Sequence, residues 1–303
     1  MTAGSMQSGR ASVDRELPKG FSVGHWTDPV GRTGCTVVLA PDGAVGGVDV
    51  RGGAPGTLGT DGLRPGTVIE RSHAVLLTGG SAYGLSAVGG VMRYLDERGI
   101  GYPIGPVKIP IVGGAVIFDL LSGDPLARPN SDAGYGACTA SSTAPELGAV
   151  GAGTGATVAK AGGNDSPTPG GVGVASARAG DAIVAAIMVA NSVGGIWDDE
   201  ERDWVAPLSG WDPGSGVLPG ANTTIGVVVT DATLTKEQAN RVAMVAHDGI
   251  ARAVRPAHTL YDGDTIFCLA SGTATAAYDA VEAVAAVVVA RAIAVGVRVA
   301  QTG

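Results

Sequence analysis

The run Thr224–Thr230 is β-branched at every position except Gly226. It stands between a glycine- and proline-rich stretch, Pro207–Ala221, and a helix signal that begins at Thr235. Side chains branched at Cβ are stiff in helices and pack well on a pleated surface, so the run specifies a buried strand. Thr235 with Gln238 three residues on is a capping-box pair, and the helix it opens runs to about Val254, with Pro256 just beyond its end.

Other elements follow from the same rules. Short apolar runs at Cys35–Ala40, Val48–Val50 and Ala74–Leu77 are separated by glycine and proline, and a helical pattern covers Ala82 to about Glu97. Val107–Asp119 reads as extended segments interrupted by Gly113-Gly114, followed by glycine-rich loops through Gly134 and Gly151–Gly155. Gly171–Ala177 and Ala182–Ala190 form a hairpin signature around Ala179-Gly180-Asp181. Val193–Trp197 and Trp204–Val205 form a second, with Asp198–Asp203 as its solvated tip. Thr265–Leu269 reads as a strand, and Tyr278 to about Val299 as a long helix. Strands mixed with helices, without strict βαβ alternation, imply a layered α/β sandwich. No repeat or domain boundary is visible, so residues 1–303 are expected to form one domain behind a flexible polar tail over residues 1–20.

Composition narrows the function classes. Hydrophobic residues make up 45% of the chain, but aromatic residues only 4%, and there are 50 glycines. Such a core packs closely and offers few rings for stacking bases. A net charge of −8 and a pI near 4.9 disfavour nucleic acids and anionic membranes as partners. Cys35, Cys138 and Cys268 form no CxxC pair, and His25, His73, His247 and His258 lack metal-ligand spacing. No cofactor is expected, and reduced thiols suit the cytoplasm. The N-terminal stretch lacks a secretory signal, and the apolar run Ala283–Ala290 is too short to span a bilayer.

Four features carry chemistry, each beside a plainer reading. Asn222-Thr223-Thr224 lies where the loop meets the strand. A threonine hydroxyl needs a base, and a free α-amine on the same residue can be one, but only after the preceding peptide bond is broken. An ordinary strand start, or a glycosylation sequon, has the same letters. Asp262-Gly263-Asp264 precedes a strand and offers two carboxylates to orient an ammonium or hydroxyl; a polar turn also fits. Lys160, among small apolar residues, is a candidate for a desolvated amine, although a surface lysine looks the same. Asn191 ends a strand and could donate to an oxyanion, or cap a turn. Gly151, Gly153 and Ala156 match a dinucleotide fingerprint, but Gly162-Gly163 and Pro167 leave no room for its helix and the ribose-binding acid is missing. Gly79-Gly80-Ser81-Ala82-Tyr83-Gly84 misses the nucleophile elbow of a Ser-His-Asp hydrolase by one position, and His247 falls on an amphipathic helix as a structural residue.

Taken in order, the blocks Gly79–Leu85, Gly151–Lys160, Val189–Gly194, Asn222–Ile225 and Asp262–Thr265 resemble the self-processing P1 aminopeptidase (DmpA-like) family. Within it the chain is most similar to the endo-type 6-aminohexanoate-oligomer (nylon-oligomer) hydrolase branch. The resemblance implies an αββα sandwich related to the N-terminal-nucleophile hydrolases, cleaved between Asn222 and Thr223 into residues 1–222 and 223–303. It assigns Thr223 as nucleophile, Lys160 and Asn191 to the site with Asn191 as oxyanion donor, and Asp262 and Asp264 as the pair that positions Thr223 and its amine. Phe118 stands where the family often has a tyrosine that assists the oxyanion, and Tyr83 is a further substrate-proximal residue. Threonine with two aspartates points to the oligomer hydrolases, since peptidase branches use serine and a different acidic pair. A homotetramer of processed units acting on short peptides or oligoamides is implied. A β- or D-aminopeptidase, an acyltransferase of the ornithine acetyltransferase type and a non-catalytic binding protein are the alternatives.

Overall fold

The computed structural model describes residues 14–162, 168–208, 210, 218 and 220–303. Nine strands form one sheet, in the order Gly171–Ala179, Ala182–Asn191, Thr223–Ala232, Thr265–Ala274, Thr33–Val50, Arg71–Thr78, Val112–Val116 and Thr57–Leu58, with Ser22–Asp28 paired to Thr33–Val50. Strand Thr33–Val50 lets this sheet fold over on itself. Its first half pairs with Ser22–Asp28 and Arg71–Thr78, and its second half pairs with Thr265–Ala270.

The period of two in each strand sorts side chains into three cores. Val184, Ala186, Met188, Val228, Ile266 and Cys268 face the helices Lys236–Ala253 (α3) and Tyr278–Ala300 (α4). Their neighbours Ala185, Ile187, Val189, Val227, Val229 and Phe267 face Val38, Val75 and Leu77 across the middle of the molecule. Cys35, Val37, Leu39, Ala74 and Leu76 face Val88–Asp96 (α1) and Ser131–Thr139 (α2). The layers run helix, sheet, sheet, helix: an αββα sandwich. Helix α4 is long and apolar enough to cross a membrane, yet Val281, Ala285, Val288 and Ala292 along it are buried in the helix-facing core.

Several expectations change. The runs at Cys35–Ala40 and Val48–Val50 belong to one strand. Strand Val112–Val116 passes through Gly113-Gly114 uninterrupted, because the Phe267 ring occupies the space that a side chain on residue 113 would need. A helix, α2, replaces the loop expected around Gly134. Asn130 caps it by accepting from the Ala133 amide at 3.0 Å, and a Cβ on Gly134 would meet the Ala87 carbonyl at 2.0 Å. Here glycine marks close helix contact rather than a loop. The helical pattern from Ala82 begins as a 3₁₀ segment, Ser81–Ala87, before α1. The tail boundary also moves. The Asp14 carbonyl accepts from the Ser176 amide at 2.7 Å and Leu17 packs on the central core, so residues 14–20 are docked, and 1–13 lie outside the described residues. Both hairpins, the capping box at Thr235 and Gln238, and the helix ending at Ala253 are present as expected.

Candidate active site

Three adjacent strands of the α3/α4-backed layer end together. Asn191 closes one strand and pairs in register with Thr223, which opens the next. Asn222 then bridges to Asp262 in line with the parallel pairing Ile225↔Thr265. Lys160 arrives from a distant loop pinned on both flanks: the Ala159 amide donates to the Gly194 carbonyl at 3.0 Å and the Ala161 amide to the Val193 carbonyl at 3.3 Å. Ala159 adopts φ 59°, a conformation that costs a residue with a Cβ about 1–3 kcal/mol and persists where its surroundings impose it.

Two successive carbonyls, of Ala221 and Asn222, are held by different donors. The Ala221 carbonyl accepts from Lys160 Nζ at 3.0 Å and from Asn191 Nδ2 at 3.3 Å. The Asn222 carbonyl accepts from the Gly263 amide at 3.0 Å and from the Thr223 hydroxyl. Residue 263 must be glycine for this approach, since a Cβ there would meet the Ala54 carbonyl at 2.3 Å. Lys160 Nζ also donates to the Asn191 carbonyl at 3.0 Å and to Asn191 Oδ1 at 2.9 Å. Asn191 Oδ1 accepts in addition from the Thr157 amide at 3.0 Å, and Asn191 Nδ2 donates to the Phe118 carbonyl at 3.3 Å.

The carboxylates work from the other side. Asp264 Oδ1 accepts from the Thr224 amide at 2.6 Å, and its Oδ2 accepts from the His258 amide at 3.2 Å and lies 2.7 Å from His258 Nδ1. Asp262 accepts from the Thr259 hydroxyl at 2.5 Å, the Thr259 amide at 3.0 Å and the Val193 amide at 3.4 Å. Asp119, 3% exposed, accepts from the Gly80 amide and from the Thr33 hydroxyl, each at 2.7 Å.

Burial dominates the electrostatics. Lys160 is partly exposed as a residue, but its amine lies deep among carbonyls. Burial pulls it down to about 7 against the attraction of Asp262 and Asp119. Burial likewise raises Asp262, with repulsion from Asp264 adding to it, and raises Asp119 against its hydrogen bonds and the Lys160 charge. Near neutral pH the site therefore holds an amine able to lose its proton, beside two carboxyls that burial shifts upward from the ordinary carboxylate range.

Thr223, Asn222, Lys160, Asn191, Asp262 and Asp264 lie together in one cluster. The Asn222 carbonyl is held by Gly263, while Asn191 holds the carbonyl before it. The Thr223 hydroxyl donates to the Asn222 carbonyl, and Asp264 reaches strand Thr223–Ala232 through the amide of Thr224. Phe118 contributes its carbonyl, as described above. Tyr83 is 58% exposed under the Arg128 guanidinium, and among the described residues no contact joins it to this cluster. Gly263, Asp119 and His258 were not singled out in the sequence. Within the loop Pro207–Ala221, residues 209, 211–217 and 219 lie outside the described residues. Among the described residues no group of three or more His, Cys, Asp or Glu side chains is arranged to hold a metal ion.

A cavity of about 500 Å³ opens beside Thr259, lined also by Leu208, Gly210 and Pro256. It adjoins the Asp262 end of the cluster and is mostly apolar.

Some proteins resemble the chain in sequence and others in fold. An uncharacterized aminopeptidase of Mycobacterium leprae is 44% identical over 85% of this chain and 78% of its own. A 6-aminohexanoate-oligomer endohydrolase of a Kocuria species is 32% identical over 86% of this chain and 76% of its own. The L-aminopeptidase D-Ala-esterase/amidase of Ochrobactrum anthropi, described as a variant of the Ntn hydrolase fold, superposes with a TM-score of 0.70 at 19% identity, over 94% of this chain and 87% of its own. A β-aminopeptidase of a Burkholderia species superposes at 0.69 with 22% identity, over 95% and 88%. The sequence profile of peptidase family S58 matches residues 19–303, and with relatives at this identity the chain belongs to that family, as a hydrolase of amide bonds.

Proposed function

We propose that this chain cleaves itself between Asn222 and Thr223 and then hydrolyses short peptides or ω-amino-acid oligomers through the new threonine terminus. One observation carries the reading: a buried threonine whose hydroxyl rests on its own preceding carbonyl, with the Gly263 amide on the same oxygen. In the first step Thr223 Oγ1 attacks the Asn222 carbonyl carbon and its proton leaves to a base. Negative charge collects on the carbonyl oxygen, where the Gly263 N–H already points. Collapse breaks the C–N bond as the base returns that proton to the departing nitrogen, leaving an ester to Thr223 Oγ1 and a free α-amine. Water hydrolyses the ester and Asn222 becomes a carboxylate.

The fragments stay together, because strand Thr223–Ala232 is hydrogen-bonded on both edges, to Ala182–Asn191 and to Thr265–Ala274. Departure of the loop end frees Lys160 Nζ and Asn191 Nδ2 from the Ala221 carbonyl and makes them available to a substrate carbonyl. The α-amine of Thr223 then takes the hydroxyl proton, the hydroxyl attacks a substrate amide, the amine product leaves, and water hydrolyses the acyl-enzyme.

The apolar cavity beside Thr259 suits an aliphatic spacer between amides, and the named oligomer endohydrolases add weight to that substrate class. The aminopeptidase relatives favour a second reading, with peptides attacked from the amino end. Incubating the processed protein with linear 6-aminohexanoate oligomers and with β- and α-aminoacyl amides separates them. Internal cuts in the oligomers support the first reading. Release confined to amino-terminal residues favours the second, and no hydrolysis of any amide defeats both.

A further inference from the structure

We infer that His258 is a positioning residue of this site: it holds Asp264, and through Asp264 the first residues of the nucleophile strand. The inference rests on the self-processing reading and extends it. Asp264 is 1% exposed and divides its two oxygens between two tasks. Oδ1 takes the amide of Thr224, one residue from the nucleophile, at 2.6 Å. Oδ2 takes both the backbone amide and the ring Nδ1 of His258, at 3.2 and 2.7 Å. A residue with φ 54° places both nitrogens on one oxygen, a left-handed conformation kept where the surroundings impose it.

A buried carboxylate requires a compensating positive charge or several donors. The lysine of the site answers Asp262 and Asp119 instead. The Arg51 guanidinium is engaged by Asp49 Oδ2 at 2.8 Å and the Met244 carbonyl at 3.0 Å. Among the described residues, the basic side chain in contact with Asp264 is the imidazole of His258. Burial works to lower His258, but the hydrogen bond and charge of Asp264, aided by the His247 backbone, outweigh it, and Arg51 opposes them weakly; the net direction is upward.

His247 on α3 supplies the contrast. Its ring meets that of His258 edge to face, centroids 4.9 Å apart, and its Nε2 faces the Asp49 carbonyl at 3.1 Å and Asp49 Oδ2 at 3.5 Å. Burial drives it down to about 3, so it packs as a neutral ring behind His258. The protonated form of His258 tightens its hold on Oδ2, which keeps Oδ1 on the strand. As pH rises through the elevated imidazole value the positive charge is lost, and the Thr223 end of the strand loosens.

The test is the rate of self-cleavage of freshly synthesised full-length chain, read by intact mass between pH 5.5 and 9. His258→Phe keeps the packed ring but removes the donor and should slow cleavage at least about tenfold, the scale expected when a reacting group is misplaced. His258→Gln restores a neutral donor and should recover most of that loss, while losing the decline that the wild type shows as the imidazole deprotonates. Equal rates for wild type and His258→Phe, or identical pH profiles for wild type and His258→Gln, overturn the inference. Should His258→Phe fail the thermal melt, the profile comparison alone decides. A wild type that never cleaves removes the self-processing reading and this inference with it, whereas cleavage indifferent to residue 258 removes only this one.

Discussion

Towards opposite ends of strand Thr223–Ala232, the buried threonines Thr223 and Thr230 are used in opposite ways. Thr230, fully buried, donates to the Ile183 carbonyl of the neighbouring strand at 2.8 Å and accepts from the Ala232 amide at 3.1 Å. Both its needs are met by the sheet, and around it lie Val228, Val229 and Ala232 in apolar core. Thr223, 4% exposed, instead turns its hydroxyl onto its own preceding carbonyl, amid a lysine, an asparagine and three acidic side chains that are each tied to backbone amides or hydroxyls. The residue type is the same and so is the strand. What differs is the wall around it: one end buries apolar side chains, the other buries charges, which a protein retains only where they are paired, hydrogen-bonded or shifted.

The contrast can be broken at its reactive end first. Thr223→Ala should abolish both self-cleavage and amide hydrolysis, leaving one band on a denaturing gel; two fragments from this variant contradict the assignment. Asn191→Ala removes a donor beside the nucleophile and should lower kcat/KM of any processed enzyme by about 10²–10³, the loss seen when one oxyanion donor is removed. A tenfold rise in KM with kcat unchanged would instead make Asn191 a uniform binding group.

Lys160→Met sharpens the comparison through pH. The buried amine falls from its ordinary 10.5 to about 7, so between those values the unfolded chain binds a proton that the folded chain has released. Stability of a Thr223→Ala chain should therefore rise from pH 7 towards 10.5 relative to the same chain carrying Lys160→Met, as read by urea denaturation. Below pH 7 the amine is charged in both states, and the difference should level off. A flat difference across the whole range removes the desolvated lysine from the account. At the quiet end, Thr230→Val should cost about 1 kcal/mol in urea denaturation, the net worth of a hydrogen bond, and leave the rate of processing as it was. A slowed rate would show that the two ends are coupled.

Legibility in the sequence followed the same division. Regular parts of the fold announce themselves locally: the capping box at Thr235 and Gln238, the turn at Gly180, and the β-branched run after Thr223 all rest on neighbours a few residues away. Helix α2 does not, because Gly134 and Gly136 lower helix propensity and what they permit, the close approach of Ala87 to Gly134 and of Trp26 to Gly136, is tertiary. In the site, the side chains with reactive ends were readable once their order matched a family pattern. Asp119 was not. Its partners Gly80 and Thr33 stand 39 and 86 positions away, and the residue beside it drew attention only for a hydroxyl it lacks. Gly263 acts through a backbone N–H, which no side-chain pattern encodes, and His258 is tied to the site by a left-handed turn whose residues carry no turn signature.

Intact-mass analysis of freshly purified wild-type protein tests the central claim most directly. The account expects two polypeptides that elute together under native conditions, the smaller beginning at Thr223 and ending at Gly303. One unbroken mass in a sample that hydrolyses amides at full rate contradicts it, for the threonine amine that serves as base would then never have existed.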